Sequence, residues 1–169
     1  MDECVVKGWD NAMTLVGIID EDFVNYKKPS MVLEFPYCSF KCDKACGQQV
    51  CQNSALATAP KIDVDTKDII KRYKKNKITK AVCCQGLEPL DSAEELYYFI
   101  KEFRKECDDD IVIYTGYNSD DSIAWRYLIR QFKNIIMKYG MFIPNQQPHY
   151  DEVLGVYLAS DNQYGEKVS

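Results

Sequence analysis

Short apolar runs alternate along this chain with segments whose apolar residues recur at helical spacing, and this pattern constrains the fold more than any other feature. We predict buried strands in four of these runs and a further strand in a fifth, at residues 31–35, 81–84, 111–114, 134–137 and 153–159. Strands that are separated by helices form right-handed βαβ units and a parallel sheet. The sequence therefore predicts an α/β fold with a mostly parallel sheet.

Helical segments lie between these strands. Asp65 or Thr66 can cap a helix that runs to about Lys75, and Ser92 with Glu95 forms a capping box for the next helix. Apolar residues line one face of that second helix (Leu96, Phe99, Ile100, Phe103, Cys107) and of a third helix around residues 121–133 (Trp125, Leu128, Ile129, Phe132). Weaker signals predict a short helix at residues 48–57, a strand or hairpin at residues 14–19, and a loop at residues 140–152.

Four of the eight cysteines fall within fourteen consecutive positions. The clustered residues are Cys38, Cys42, Cys46 and Cys51, whereas Cys4, Cys83, Cys84 and Cys107 are scattered. Because the acidic N-terminus lacks the positively charged start of a signal peptide, we expect a cytoplasmic protein. In that reducing compartment clustered thiols hold metal more often than they form disulfides. The sequence therefore predicts a metal centre in this segment.

Two kinds of metal centre are compatible with these cysteines. Structural zinc usually takes two pairs of ligands on separate knuckles, whereas this segment is one tight group and the single histidine, His149, lies far along the chain. An iron–sulfur cluster also takes thiolates, and a loop with three of them leaves one iron open to another ligand. Both centres stay open at this point. We expect Cys83 and Cys84 to be strand core and His149 to be a surface loop residue.

Three chemically suggestive segments follow three successive predicted strands. The clustered cysteines follow the first strand, residues 85–89 follow the second, and residues 115–117 follow the third. The carboxyl ends of parallel strands are where sites gather in such folds. The sequence therefore predicts one site at that edge of the sheet.

Composition and length exclude several classes of protein. Lys and Arg total 21 against 26 Asp and Glu, and the basic run at residues 71–77 is typical of the solvated end of a helix, so we expect no nucleic-acid partner. No stretch reaches the roughly 18 apolar residues of a membrane span, so we expect no membrane partner. The 169 residues suit a single domain and are too few for a complete eight-unit β/α barrel, which needs about 250.

Five short motifs occur along the chain: Glu34-Phe-Pro-Tyr-Cys38, Gly86-Leu-Glu-Pro-Leu90, Ile113-Tyr-Thr-Gly-Tyr117, Tyr139-Gly-Met-Phe142 and Ala159-Ser-Asp-Asn-Gln163. In order and position they resemble the radical S-adenosylmethionine superfamily, most closely the small activating proteins of anaerobic ribonucleotide reductase. The resemblance spans roughly residues 18–163, the core of a single domain over residues 1–169. It implies an α/β fold that is a partial (β/α) barrel with a curved, mostly parallel sheet.

The cysteine spacing departs from the family's pattern. The family's loop has three residues between its first two cysteines, as Cys38 and Cys42 do, and two between the second and third, where this chain has no cysteine. We favour Cys51 as the third ligand because Cys51-Gln-Asn53 resembles the Cys-aromatic-Asn that ends the family's loop. An inserted turn can bulge outward while its two ends meet. Cys46 is the alternative third ligand.

The glycine motif departs as well, because Leu87 replaces the second glycine of the family's Gly-Gly-Glu-Pro-Leu. The paired glycines let the backbone approach the methionine end of the cosubstrate, which a side chain at Leu87 hinders. Alternatively, Gln85 and Gly86 are the displaced pair, with Leu87 inserted before Glu88. We still expect S-adenosylmethionine to bind, with altered local geometry.

The resemblance implies cofactors, partners and a mechanism. The cofactors are a 4Fe-4S cluster and S-adenosylmethionine. Reductive cleavage of S-adenosylmethionine gives a 5′-deoxyadenosyl radical, which takes a hydrogen atom from a glycine. Because this radical chemistry belongs to the cofactors, no catalytic side chain is assigned. The partners are a glycyl-radical enzyme, the large subunit of anaerobic ribonucleotide reductase, and an electron donor such as flavodoxin or ferredoxin. The implied metal ligands are Cys38, Cys42 and Cys51, and the implied cosubstrate-binding residues are Gly86, Glu88, Thr115 and Tyr117.

Two other functions stay open. A radical S-adenosylmethionine enzyme could act on another peptide or on a small molecule, and a non-catalytic module could bind zinc or an iron–sulfur cluster. A barrel truncated to a few strands leaves a wide lateral opening. This opening favours a protein loop over a small enclosed substrate.

Overall fold

The computed structural model describes residues 11–121 and 123–169, without the side chains of residues 123–126. Cys4 and the side chain of Trp125 lie outside this part of the chain. The strands are β1 (Ala12–Leu15), β2 (Gly17–Asp22), β3 (Ser30–Phe35), β4 (Ile62–Asp65), β5 (Ala81–Gly86), β6 (Asp110–Tyr114), β7 (Ile135–Tyr139), β8 (His149–Asp151), β9 (Val156–Leu158) and β10 (Tyr164–Lys167). The helices are α1 (Lys41–Cys46), α2 (Thr66–Lys75), α3 (Ala93–Glu106) and α4 (Ile123–Arg130), with 3₁₀ turns at Ser54–Ala57 and Pro89–Ser92.

Six strands form the central sheet, in the order β10-β7-β6-β5-β3-β2. The four inner strands β7, β6, β5 and β3 are parallel, and the edge strands β2 and β10 pair antiparallel. The predicted α/β class is confirmed, and the sheet is mixed with a parallel centre. The pairings of the described strands show no closed barrel. The curvature of a partial barrel stays a prediction.

Both faces of the sheet are covered, so successive residues of an inner strand enter different cores. In β5, Cys84 packs into the core on the helical side, with residues of α2 and α3, whereas Cys83 packs on the opposite side with Tyr26, Leu154 and Leu158. Both thiols are buried, which confirms that Cys83 and Cys84 are strand core. This packing fixes the register of the strands and hence the positions of the loops at their ends.

Helix α2 begins as predicted, because the Asp65 carboxylate accepts a hydrogen bond of 2.7 Å from the amide of Lys67. The apolar face of α3 is also confirmed, since Leu96, Phe99, Ile100 and Phe103 are fully buried. Among the described residues, none of the helices is long and apolar enough to cross a lipid bilayer.

The prediction of a capping box at Ser92 and Glu95 is wrong. A 3₁₀ turn at Pro89–Ser92 runs directly into α3, and the Ser92 hydroxyl makes no capping hydrogen bond. The Glu95 carboxylate instead accepts from the amide of Thr14, 3.0 Å away on β1. A tertiary contact has therefore replaced the local one that the sequence motif predicted.

Three other predictions need correction. Residues 48–53 are not helical; the helix of this region is α1, and only Ser54–Ala57 forms a 3₁₀ turn. The strand predicted at 153–159 is the short β9, which pairs in a separate hairpin with β8, a strand inside the predicted loop. Leu128 is exposed rather than part of the apolar face of α4, where Ile129 is buried.

Candidate functional site

A cavity of about 340 Å³ lies at the carboxyl ends of β3, β5, β6 and β7. This volume falls in the range of roughly 300–1,000 Å³ that small-molecule sites occupy. Every residue that the sequence analysis favoured for the site lines it: Cys38, Cys42, Cys51, Gly86, Glu88, Thr115 and Tyr117. Cys46, the alternative third ligand, does not line it.

The first two cysteines follow β3 through a tight turn. Phe40 adopts a left-handed conformation with φ of 53°, and its amide donates to Cys38 Sγ at 3.2 Å. Burial raises the pKa of Cys38 to about 11, and the nearby carboxylates of Glu88 and Asp91 add to this rise. Thiols bind metal as thiolates, so binding here has to displace a tightly held proton.

The chain between Cys42 and Cys51 forms an outward turn whose two ends meet. Helix α1 ends at Cys46, and Gly47 turns the chain with a positive φ of 67°. The Asp43 Oδ1 atom then accepts hydrogen bonds of 2.8 Å from the amides of both Val50 and Cys51. Cys51 therefore returns to the neighbourhood of Cys42, whose pKa is raised by burial and by the charge of Cys51.

Hydrogen bonds attach this cysteine segment to the glycine motif after β5. The amide of Leu87 donates to the Phe35 carbonyl at 3.1 Å, and the amide of Glu88 donates to the Tyr37 carbonyl at 2.8 Å. The side chain of Asn53 donates to the Gly86 carbonyl at 3.1 Å. Both ends of the cysteine segment are thus fixed to the loop that follows β5.

Gly86 is required by the neighbouring strand. Its φ is +104°, and a Cβ atom there would lie 2.6 Å from the amide nitrogen of Phe35. The sequence analysis attributed the family's glycines to close approach of the cosubstrate, whereas the close neighbour of Gly86 is the backbone at the end of β3. The side chain of Leu87 is partly exposed and lines the cavity.

Glu88 joins the ends of β5 and β6. Its carboxylate accepts hydrogen bonds from the amides of Leu90 at 3.1 Å and Gly116 at 2.8 Å, and the Thr115 hydroxyl donates to it. The residue is only 4% exposed. Burial raises its pKa to about 7, although the hydrogen bonds favour the charged form.

Asp91 is a bridging residue that the sequence analysis did not identify. One carboxylate oxygen accepts from the Tyr117 hydroxyl at 2.6 Å, and the other accepts from the amide of Ser39 at 3.0 Å. The Nζ atom of Lys41 lies 3.3 Å from the centre of the Tyr117 ring. Together these contacts tie the cysteine segment to the loop after β6.

Lys138 is the second residue that sequence reasoning missed. It lies in β7, is 7% exposed, lines the cavity and donates to the Gly140 carbonyl at 2.9 Å. Burial lowers its pKa to about 8, while the charges of Glu88 and Cys42 act in the opposite direction. The available signal was a lysine within the apolar run of residues 135–139, since lysine is rarely buried without a specific partner.

Asn162 and Gln163, near the C-terminal end of the chain, have a local structural role. Asn162 donates to the Met141 carbonyl at 2.9 Å, and Gln163 donates to the Gly140 carbonyl at 3.3 Å. These bonds fix the loop after β7 against the segment before β10. The prediction that His149 is a surface loop residue is wrong. His149 is the first residue of β8, is partly buried, and does not line the cavity.

The donor set, three cysteine thiols on one cavity, fits a 4Fe-4S cluster. A structural zinc ion usually takes four protein ligands, whereas a 4Fe-4S cluster held by three thiolates keeps one iron open to another ligand. Three free thiols around one cavity suit the second arrangement.

Comparison with known protein families gives a match over the site. A family model described as a 4Fe-4S single cluster domain matches residues 30–156, which is more than half of the chain. This domain is seen in radical S-adenosylmethionine enzymes. The matched range contains every sequence-predicted site residue, and it also contains Asp43, Asp91 and Lys138. No curated protein matches the chain.

Proposed function

Because the chain belongs to the family of 4Fe-4S single cluster domains, we propose that it is a radical S-adenosylmethionine enzyme that activates a glycyl-radical enzyme. The observation that carries this proposal is the placement of Cys38, Cys42 and Cys51 on one cavity at the ends of four parallel strands. Three protein thiolates on a four-iron cluster leave one iron free to bind the cosubstrate.

When bound, the reduced cluster and S-adenosylmethionine supply a carbon-centred radical that removes a hydrogen atom. The chain's own part is to hold, orient and shield them. Cys38, Cys42 and Cys51 are the residues that would hold the cluster. Because burial raises the pKa values of Cys38 and Cys42, cluster binding releases protons and becomes more favourable as pH rises.

The buried charges of the cavity suit the amino-acid end of the cosubstrate. Glu88 and Lys138 place an acidic and a basic side chain on the same cavity, and a methionine moiety carries both an amino group and a carboxylate. The Lys138 ammonium has donors beyond the one given to the Gly140 carbonyl. We assign Gly86 and Glu88 to the amino end and Lys138 to the carboxylate, with Thr115 and Tyr117 bordering the rest of the cosubstrate.

The rim of the cavity favours a protein as the substrate. Val24 and Tyr157 line the cavity and are 73% and 74% exposed, and Phe23, which precedes Val24 in the chain, is 63% exposed. A group of large exposed apolar side chains is typical of a surface that contacts another protein. We therefore propose a glycine-bearing loop of a glycyl-radical enzyme, the large subunit of anaerobic ribonucleotide reductase, as the substrate. Flavodoxin or ferredoxin is the proposed electron donor, and the cytoplasm the proposed location.

Electron paramagnetic resonance of a mixture with the partner tests this function. The chain is reconstituted anaerobically with iron and sulfide, then incubated with S-adenosylmethionine, a reductant and the reductase large subunit. We expect a glycyl-radical signal that requires all components and is absent with Cys38→Ala. Cosubstrate cleavage without a glycyl radical would indicate another peptide or a small molecule as substrate. A full cluster without cleavage would indicate a non-catalytic module.

A further inference from the structure

The inserted turn between Cys42 and Cys51 has one side chain that closes it. Asp43 is adjacent to Cys42, and its Oδ1 atom accepts from the amides of Val50 and Cys51, each at 2.8 Å. The same carboxylate oxygen therefore binds the two residues at the far end of the insertion. Among the hydrogen bonds of the described residues, this pair is the direct link between the Cys42 end and the Cys51 end.

We propose that Asp43 is the positioning residue that makes Cys51, and not Cys46, the third ligand of the cluster. The inference rests on the proposed use of this site for a cluster, and it concerns how an abnormal cysteine spacing is accommodated. Without the two bonds to Asp43, the turn at residues 47–50 would be held weakly, because a Cβ atom at Gly47 would meet nothing within 4 Å and Gln48 and Gln49 are exposed. The Gln49 side chain donates to the Ser54 hydroxyl at 3.0 Å, but this bond does not reach the Cys42 end of the turn. Loss of the bonds would remove the anchor on the Cys42 side of Cys51 and leave the anchor at Asn53, so that Cys51 could shift relative to Cys42.

The position of Cys46 explains why such a device is needed. Cys46 is the last residue of α1 and lies only four residues after Cys42, so it is closer along the chain to the first two ligands than Cys51 is. It nevertheless does not line the cavity, whereas Cys51 does. Asn53 anchors the far side of Cys51 by donating to the Gly86 carbonyl at 3.1 Å. Asp43 and Asn53 thus hold Cys51 from both sides.

Amide hydrogen exchange of the cluster-free chain tests the positioning directly. Charge-assisted hydrogen bonds are the stronger kind, so Asp43→Ala should accelerate exchange at the amides of Val50 and Cys51 by about tenfold. Asp43→Asn keeps one carbonyl oxygen and should restore most of the protection. Lys44→Ala, a change at the exposed neighbouring residue of α1, is the matched control and should leave both amides unchanged. Unchanged exchange in Asp43→Ala would overturn the proposal.

Iron retention then tests the consequence for the cluster. After reconstitution, Asp43→Ala should lose iron to a chelator about tenfold faster than the wild-type chain, with Asp43→Asn close to wild type. Cys46→Ala alone should leave iron retention at the wild-type level. In Asp43→Ala, Cys46 can compete with Cys51 as the third ligand, so the double variant Asp43→Ala, Cys46→Ala should lose the remaining cluster. Equal retention in all these variants would overturn the proposal. A wild-type chain that binds no iron would instead contradict the proposed function, while the exchange experiment still decides the role of Asp43.

Discussion

The side chain of Asn53 donates a hydrogen bond of 3.1 Å to the carbonyl of Gly86, and this contact joins the end of the cysteine segment to the end of β5. Because Cys51 lies two residues before Asn53, the bond brings Cys51 to the cavity although eight residues separate it from Cys42. A sequence signal for this contact existed in Cys51-Gln-Asn53. Together with the bonds that Asp43 accepts from Val50 and Cys51, the contact favours Cys51 over Cys46 as the third ligand.

We predict that Cys51→Ala loses the reconstituted cluster and that Cys46→Ala retains it. The physical reason is that Cys51 lines the cavity with Cys38 and Cys42 whereas Cys46 does not. The measurement is visible absorbance together with iron and sulfide content after anaerobic reconstitution. Cluster loss in Cys46→Ala with retention in Cys51→Ala would reassign the third ligand.

Gly86→Ala should strongly destabilise the chain. The residue has φ of +104°, and a Cβ atom would meet the Phe35 backbone at 2.6 Å, so we expect a loss of about 3–5 kcal/mol in the free energy of unfolding. Gly47→Ala is the matched control, because Gly47 also has a positive φ but has open space around it, and it should cost about 1–2 kcal/mol. Denaturant unfolding of both variants gives the comparison, and equal costs would show that the contact with β3 is unimportant.

The stability of the cluster-free chain should depend on pH through Glu88. Its folded-state pKa of about 7 lies above its ordinary value, so between roughly pH 4.5 and 7 the folded chain binds more protons than the unfolded chain. The contribution of Glu88 to stability is therefore fully present at low pH and is lost as pH rises, by about 3 kcal/mol above pH 7.

Glu88→Gln removes this titration, so as pH rises from about 4.5 to above 7 the unfolding free energy of the wild-type chain should fall by about 3 kcal/mol relative to that of the variant. Glu94→Gln, a change at an exposed residue of α3, should leave the pH profile of the wild-type chain intact. Urea unfolding at a series of pH values provides the measurement. Parallel profiles for wild type and Glu88→Gln would show that Glu88 titrates normally.

Tyr157→Ser should weaken binding of the glycyl-radical partner about tenfold while cosubstrate cleavage by the reconstituted chain stays unchanged. Tyr157 is 74% exposed at the rim of the cavity, so its loss removes partner contact area without altering the cysteine segment. Tyr127→Ser is the matched control, since Tyr127 is equally exposed on α4 and does not line the cavity. Equal binding by the two variants, measured by surface plasmon resonance, would place the partner elsewhere.

The sequence was sufficient for the parts of the fold that depend on local periodicity. Apolar spacing predicts the strands β3, β5, β6 and β7 and the helices α2 and α3. It also predicts that three segments meet at one edge of the sheet, because these strands are parallel. The edge strand β10 was not predicted, because Tyr164-Gly-Glu-Lys167 has no apolar alternation and is a strand through its pairing with β7.

The remaining errors arise where a tertiary contact outweighs a local signal. Glu95 matches a capping box, yet its carboxylate binds the amide of Thr14, which is distant in sequence. Asp43 and Asp91 resemble ordinary surface carboxylates in the sequence, and their roles depend on backbone amides that only the folded loops bring near. Lys138 was the one missed residue with a visible signal, a charge inside an apolar strand.

Iron and cosubstrate chemistry of the reconstituted wild-type chain tests the central claim most directly. The chain is loaded anaerobically with iron and sulfide, and the released nucleoside is measured after addition of S-adenosylmethionine and dithionite. We predict about four irons per chain, as one 4Fe-4S cluster requires, and dithionite-dependent release of 5′-deoxyadenosine. A colourless chain that binds one zinc ion, or a full cluster whose four irons are all held by the protein and that releases no 5′-deoxyadenosine, would contradict it.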